Sequence, residues 1–404
     1  MKRPEVLITD AKGWRTPYAM LAVMAGAMFL SFSGWSALLN NFSVERAGFT
    51  GREMGILQSI REIPGFLAFL AIFVVIVMRE QTLALVSLTL LGLGVAVTGY
   101  YPSVGGLFLT TFVMSLGFHY YETMALSLSL QWLPKATAPA QLGKLIAIGS
   151  FSQLAAYALV YLAWKTFGLS YELMFLVAGL VTVGIAVFLW IAFPNFREEV
   201  PQSRKPVLRA RYWLYYALTF MGGARRQIFV VFAGFMMVEK FGYAVHEIAA
   251  LFFLNGVISM VVAPKIGSLI GRFGERKALV FEYIGLIGVF TAYAFVDNVW
   301  IAAGLYVIDH AFFAMAIAMK TYFQKIADPV DIAQTAGVSF TINHIAAVVI
   351  PALFGLIWLV SPALVFLLGA AMSAMSLGLA LLVPENPEPG REVIFKRPVP
   401  AIAE

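Results

Sequence analysis

Runs of about twenty consecutive apolar residues recur along this chain, and a helix of that length is what spans a hydrocarbon core of ~30 Å. A backbone crossing lipid has no water to satisfy its N–H and C=O groups, so each run must close its hydrogen bonds within itself as helix. Composition agrees: of 404 residues, 61% are hydrophobic and only 12% charged, with a mean hydropathy of +0.84. A soluble domain carries about twice that share of charge, roughly 25%. A soluble enzyme, a nucleic-acid binder and a disordered scaffold are all disfavoured together. The chain has no cysteine, which removes disulfides, thiolate metal sites and cysteine nucleophiles. Residues 1–15 carry Lys2, Arg3, Glu5, Asp10, Lys12 and Arg15 and lack the short apolar core of a signal peptide, so the first helix is expected to direct insertion.

Charged and Gly/Pro punctuation divides the apolar sequence into twelve candidate spans, near 17–41, 54–78, 82–100, 105–132, 141–165, 171–193, 212–238, 246–270, 278–296, 299–322, 333–359 and 362–383. The segment from Pro194 to Arg211 is Pro-rich and charged and separates six spans from six. The expected organisation is a six-helix bundle over 1–193, a linker over 194–211, and a second six-helix bundle over 212–404 ending in a short tail. With alternating helices, nineteen of the 28 Lys and Arg residues fall on the side of the N-terminus and four on the other. That asymmetry predicts both termini in the cytoplasm and a multi-pass protein of the cytoplasmic (inner) membrane.

The two halves repeat. Val44-Glu45-Arg46-Ala47-Gly48-Phe49 followed by Glu53 resembles Val238-Glu239-Lys240-Phe241-Gly242-Tyr243 followed by Glu247, at a constant offset of 194. Ala84-Leu85-Val86 returns as Ala278-Leu279-Val280 at the same offset, and His119 matches His310 at 191. Because six spans separate the copies, both halves have one orientation, which makes this a parallel repeat.

Between spans eight and nine lies Gly267-Ser268-Leu269-Ile270-Gly271-Arg272-Phe273-Gly274-Glu275-Arg276-Lys277. It resembles the cytoplasmic loop signature of the major facilitator superfamily, Gly-x-x-x-Asp-Arg-x-Gly-Arg-Arg/Lys, with departures at Gly271 and Glu275. The corresponding loop of the first half, Val77 to Gln81, lacks the pattern. With twelve spans in two halves, the resemblance covers the whole chain. It implies an all-α polytopic membrane protein with twelve transmembrane helices in two parallel six-helix repeats, and a solute site near midplane between the halves. It assigns Gly267, Gly271, Arg272, Gly274 and Arg276 a gating or structural role, and it puts the first, fourth, seventh and tenth helices around a central cavity. The fifth span lacks the Gly-Pro pair typical of drug–proton antiporters.

Ionisable groups near mid-bilayer cost several kcal/mol unless they face protein or water, so each is a functional candidate. They concentrate in few spans: Arg61 and Glu62 in the second, His119 and Glu122 in the fourth, Arg225 and Arg226 in the seventh, Asp309 and His310 in the tenth, His344 in the eleventh. His119 and Glu122, three apart, share a helix face. A histidine beside a carboxylate titrates near physiological pH, which suits proton coupling. Asp309 and His310 point in different directions, one expected to face the cavity. His119, Glu122, Asp309, His310 and His344 are therefore proton-coupling candidates, with a structural hydrogen bond or salt bridge as the competing role for each. Arg225 and Arg226 are fixed charges suited to an anion, although one of them is also a natural partner for Asp309 or Glu122. Trp35, Tyr120 and Tyr121, with Phe312, are candidates for stacking on an organic solute, and Asn343 for a polar contact. Arg61-Glu62 reads as a self-compensating pair or gate. Glu282, Lys265 and Lys320 are expected to snorkel towards the cytoplasmic end.

No Walker loop, His-Glu-x-x-His or Gly-x-Ser-x-Gly is present, and the four scattered histidines do not read as a metal site. The expected protein is a non-enzymatic secondary transporter without cofactor, moving a small organic solute with an anionic group by alternating access, coupled to protons and working as a monomer in membrane lipid. An uncoupled facilitator, and a transporter fold kept as a sensor or lipid handler without net flux, are the alternatives.

Overall fold

The computed structural model describes residues 5–7, 13–133, 138–197, 208–328 and 332–395. Most of the expected linker, 198–207, and the C-terminal residues from 396 on lie outside the described residues. In chain order the helices are α1 (Pro17–Ala47), α2 (Gly51–Phe66), α3 (Ala71–Val77), α4 (Glu80–Thr98), α5 (Val104–Trp132), α6 (Ala138–Lys165), α7 (Tyr171–Ala192), α8 (Trp213–Gln227), α9 (Gly234–Glu239), α10 (Val245–Phe273), α11 (Glu275–Phe295), α12 (Val299–Phe313), α13 (Ile317–Ile326), α14 (Ile332–Trp358) and α15 (Pro362–Leu381). Joined where only a 3-10 or π turn intervenes, they form stretches that follow the apolar runs. Among the described residues, nine helices are long and apolar enough to cross a membrane. The stretches 51–77, 104–132 and 213–239 are not among the nine, and these hold Arg61 and Glu62, His119 and Glu122, and Arg225 and Arg226.

Helix irregularity and charge coincide. A 3-10 turn at Leu67–Leu70 separates α2 from α3, a π turn at Ile228–Ala233 separates α8 from α9, and a 3-10 turn at Ala314–Ala316 separates α12 from α13. Each break follows a charged pair by a few residues. Pro64 inside α2 supplies one cause, since it has no N–H to donate and crowds the preceding turn. Irregular backbone at membrane depth is tolerated where it is buried in protein or lines a polar cavity.

Two compact units make up the chain. The first comprises Met1–Phe49, Ile60–Gln202 and Gly242–Gly256; the second comprises Thr50–Ser59, Ser203–Phe241 and Val257–Glu404. In the first, α1 packs on α6 and α7, and α4 on α5 and α7. In the second, α8 packs on α14 and α15, and α11 on α12 and α15. The pairing scheme of one unit therefore repeats in the other. Segment 50–59 sits in the second unit because Gly51 and Gly55 let its backbone touch α14. A Cβ on Gly55 would lie 2.1 Å from the Pro351 carbonyl oxygen, and the Ala352 N–H donates to Ser59 Oγ at 3.0 Å.

The repeated charged loop has a structural reason. Gly48 (φ +62°) and Gly242 (φ +69°) adopt the left-handed backbone that lets a helix stop and turn. A few residues later the next helix begins, and its first-turn glutamate reaches back: Thr50 N–H donates to Glu53 at 3.0 Å and Ala244 N–H to Glu247 at 2.9 Å. Burial alone would raise the Glu53 carboxyl, but hydrogen bonds from Thr50 and the Arg52 charge outweigh it and hold the group below the ordinary carboxylate range. Elsewhere in the first unit, β1 (Glu5–Leu7) pairs in parallel with β2 (Asn195–Arg197), Val6 facing Phe196. Gln81 holds β2 in place, donating to the Pro194 carbonyl (2.8 Å) and accepting from the Phe196 N–H (2.9 Å). This strap had no sequence signal.

Close backbone approach supplies much of the packing, as the glycines of α4 show. Gly94 meets the α5 backbone at Met114, and Gly179 of α7 lies against Gly92 and Ala96 of α4. A Cβ on Gly179 would sit 2.2 Å from the Gly92 carbonyl oxygen, whereas one on Gly184 of the same helix would meet open space. Gly179→Ala is accordingly expected to lower stability by about 1–3 kcal/mol through overpacking. Gly184→Ala is expected to be neutral or to stabilise by about 0.5–1 kcal/mol through helix propensity. Thermal unfolding of the two variants side by side in detergent checks the contrast; equal midpoints would mean that α4 and α7 do not pack this closely.

Candidate functional site

In the second unit, residues from the last turn of α8, the second turn of α11 and the C-terminal half of α12 converge. Arg225 is buried, and its Nη2 lies 3.2 Å from Glu282 Oε1 of α11, itself buried. The guanidinium also stacks over the Tyr283 ring at 4.5 Å. Asp309 of α12 is wholly buried, and neither of its carboxylate oxygens has a hydrogen-bond partner among the described residues. Arg225 and Glu282 are the charged groups near enough to act on it. Glu282 Oε2 and Arg225 Nη1 are likewise buried without hydrogen-bond partners among the described residues.

The sequence expectation for Glu282 is corrected here. It does not snorkel, because α11 starts at Glu275, immediately after Gly274 (φ +85°), and not at the apolar run that begins near 278. Glu282 is thus two turns into its helix, roughly 10 Å from the end, too deep for a short side chain to reach water. It is the functional candidate that sequence reasoning missed. Measuring its depth from Gly274, the residue that separates the two helices, would have found it.

Arg226, one position on, faces the other way and is exposed. Its Nη2 lies 3.4 Å from Asn343 Oδ1 of α14, whose side chain rests on Gly223, so these two substrate-binding candidates stand together. Arg225 does not join them. The structure pairs it with Glu282 and leaves it near enough to act on Asp309, against the expectation of a free anion site. His310 is half-buried and donates through Nδ1 to the carbonyl of Tyr306, 3.1 Å away, with its ring against Tyr306 (4.7 Å) and Phe229 (5.4 Å). His344 is buried and does the same with Phe340 (2.8 Å), on which its ring lies at 4.1 Å. Since a carbonyl only accepts, Nδ1 is the donor in both contacts. Of the adjacent pair, Asp309 packs inside and His310 reaches the surface of the helix. Phe312 lies over Gly285 of α11, a packing role.

In the first unit, His119 Nδ1 is 3.6 Å from Glu122 Oε2 on the shared face of α5; His119 is buried and Glu122 is partly exposed. A train of rings leads away from the histidine: Phe118 at 5.0 Å, then Phe32, then Trp35. Trp35 and Tyr121 are buried, so neither ring is open to a solute, contrary to the stacking role expected for them; Tyr120 is half-buried. Arg61 and Glu62 form the expected ion pair with each other, and Ser115 Oγ donates to the Arg61 carbonyl.

The loop residues are split. Gly267 and Gly271 lie within α10, and Gly274 is the single residue between α10 and α11. Arg272 is exposed and Arg276 half-buried. Glu275, where the family signature favours a base, is buried and paired with Lys325 of α13 at 2.7 Å. The first half repeats the arrangement with a neutral donor in place of the lysine, Gln131 of α5 donating to Glu80 of α4 at 3.0 Å.

The sequence model described as Major Facilitator Superfamily matches residues 21–351 and 215–402. A comparison with curated proteins finds no match. Among solved structures, a point mutant of the nucleoside transporter NupG is similar at 15% identity, with a TM-score of 0.76 over 91% of this chain and 99% of that one. A bacterial homologue of the human lysosomal transporter Spinster, inward-facing and occupied, is similar at 14% identity and a TM-score of 0.75, over 97% and 100% of the two chains. A POT family transporter in complex with 5-aminolevulinic acid shares 12% identity, with a TM-score of 0.71 over 90% and 94%. At such identities the likeness is one of fold.

Proposed function

The chain belongs to the major facilitator superfamily, and from that premise we propose that it is a secondary transporter of a small organic solute bearing an anionic group, driven by protons through alternating access. The observation that carries the coupling is the charge count around Arg225. One guanidinium is buried with two carboxylates, Glu282 and Asp309, and the three fully ionised would leave a net negative charge in the bundle. An uncompensated buried charge costs several kcal/mol, so the cluster favours holding one proton. A carboxylate that holds a proton in one state and releases it in another is what links proton movement to a conformational cycle.

The anion reading rests on Arg226. It is an exposed guanidinium and has Asn343 beside it as a second polar contact. His119–Glu122, His310 and His344 are additional proton-coupling candidates, and Arg61–Glu62 a structural pair. The similar structures carry different cargoes by name, so the fold does not choose the solute. A cytoplasmic membrane location with both termini inside, and action as a monomer, complete the proposal.

A thermal-shift screen of carboxylate- and phosphate-bearing solutes at two pH values tests it, because a ligand that binds only the folded state raises its stability. Arg226→Gln is expected to weaken a hit by about tenfold or more, the range of a lost charge-assisted contact. Neutral solutes that bind wild type and the variant alike would defeat the anion reading. Transport in proteoliposomes that ignores an imposed pH gradient would point to an uncoupled facilitator, and binding without any flux to a sensor.

A further inference from the structure

Several basic residues at helix ends and loops have a carboxylate partner, and among the described residues those at the α10–α11 corner do not. Arg79 pairs with Glu5, Arg211 with Asp328 at 2.5 Å, and Lys325 with Glu275. Lys265, Arg272, Arg276 and Lys277 have no such partner among the described residues: the ion pairs found there in the second unit are made by Arg52, Arg211, Arg225, Lys240 and Lys325. Glu275, between Arg272 and Arg276, is buried and turned to Lys325, and Glu385, whose backbone lies by Gly274, forms among the described residues no ion pair with the four. Three of them, Lys265, Arg272 and Lys277, are exposed.

Their spacing orders them on two faces. Along α10, Lys265, Leu269, Arg272 and Phe273 fall at i, i+4, i+7 and i+8, one side of a helix. Leu269 and Phe273 on that side are 45% and 59% exposed. Along α11, Lys277, Phe281 and Ile284 fall at i, i+4 and i+7, and Phe281 and Ile284 are 62% and 56% exposed. On α11 the exposed apolar side chains follow Lys277 into the helix, and on α10 Leu269 lies between Lys265 and Arg272 with Phe273 closing the helix, so each face sets exposed apolar side chains beside cations. The first turn of α11 adds N–H groups with no side-chain cap, since Gly274 has none to offer.

We infer that this corner is a docking surface for an anionic phospholipid, whose phosphate is gathered by Arg272, Arg276 and Lys277 while its acyl chains lie along Leu269, Phe281 and Ile284. Charge complementarity selects the partner: three or four unpaired cations attract an anionic headgroup and gain little from a zwitterionic one. The exposed apolar residues select a lipid over a soluble phosphate. Lys265, about 10 Å along the helix from Arg272, reaches the same headgroup layer by extending its stem.

The test compares the full-length protein in detergent micelles doped with phosphatidylglycerol or phosphatidylcholine, reading the retained lipid by native mass spectrometry. Wild type is expected to retain phosphatidylglycerol about tenfold or more in preference to phosphatidylcholine. The Arg272→Gln/Arg276→Gln/Lys277→Gln variant is expected to lose that preference, whereas Lys144→Gln, which removes an exposed cation elsewhere, keeps it. Should the triple variant not fold, Arg272→Gln and Lys277→Gln singly are each expected to reduce the preference by a few-fold, at ~1 kcal/mol per cation. Equal retention of the two lipids by wild type, or undiminished preference in the variants, overturns the inference. Displacement of the lipid by millimolar inorganic phosphate overturns the lipid assignment in favour of a phosphate site.

Discussion

Arg225→Gln is expected to destabilise the protein by about 3–5 kcal/mol, the cost of removing one partner from a buried ion pair. The size follows from what remains. Glu282 and Asp309 are both buried, and without the guanidinium neither has a compensating charge. The Tyr283 ring loses the cation stacked on it as well. Glu282→Gln is expected to be milder, because Arg225 then has Asp309 as its counter-charge and the cluster balances without a proton. Replacing the pair together, Arg225→Met with Glu282→Leu, is expected to recover most of the loss, since well-packed apolar residues substitute for a buried ion pair at little cost. Chemical or thermal unfolding in detergent micelles orders the three variants. If Arg225→Gln unfolds like wild type, the guanidinium is not the counter-ion of a buried cluster, and the coupling proposal loses its basis.

How much of this was legible depends on whether an interaction is local in sequence. The apolar runs and the charged repeated loop each have a cause that acts over a few residues. Gly48 and Glu53, with Gly242 and Glu247, show this: a left-handed stop and a capping carboxylate need fixed spacing, so they recur in register. The shared face of His119 and Glu122 follows from helical period alone. Partner choice across helices is different. That Arg225 meets Glu282, 57 residues away, depends on how α8 lies against α11 and on where α11 begins. The apolar run starting near 278 put Glu282 one turn from the end; the helix, started by Gly274, puts it two turns in. One misplaced helix start was enough to turn a buried counter-ion into a surface residue. The burial of Trp35 and Tyr121 was out of reach for a related reason. An aromatic ring on a polar helix has the same sequence appearance whether it faces neighbours or a cavity. The strap formed by β1 and β2 is three residues long and joins segments about 190 positions apart, too short and too distant for any periodicity to register.

Asp309→Asn separates transport from coupling. With asparagine the Arg225–Glu282 pair is balanced and no proton is needed at any stage, so solute exchange down its own gradient is expected to continue. Accumulation against a gradient is expected to vanish. For one proton per solute, each unit of imposed pH difference supports about tenfold accumulation, at ~1.36 kcal/mol per unit. Wild-type proteoliposomes given a one-unit gradient should approach that ratio, and the Asn variant should settle near unity. Counterflow of labelled solute, which needs binding and reorientation but no net proton movement, should persist in the variant and shows that it is folded and able to cycle. Asparagine keeps the volume and leaves polar atoms where the carboxylate oxygens already lack hydrogen-bond partners among the described residues, so its effect on stability should be small beside that of Arg225→Gln. A variant that accumulates solute as wild type does would remove Asp309 from the proton path and shift the burden to His119–Glu122 and His310. A variant that loses counterflow and accumulation together would instead mark Asp309 as a group the solute itself requires. The charge count around Arg225 favours the first pattern, because what asparagine supplies permanently is the neutral state that a proton supplies in turn.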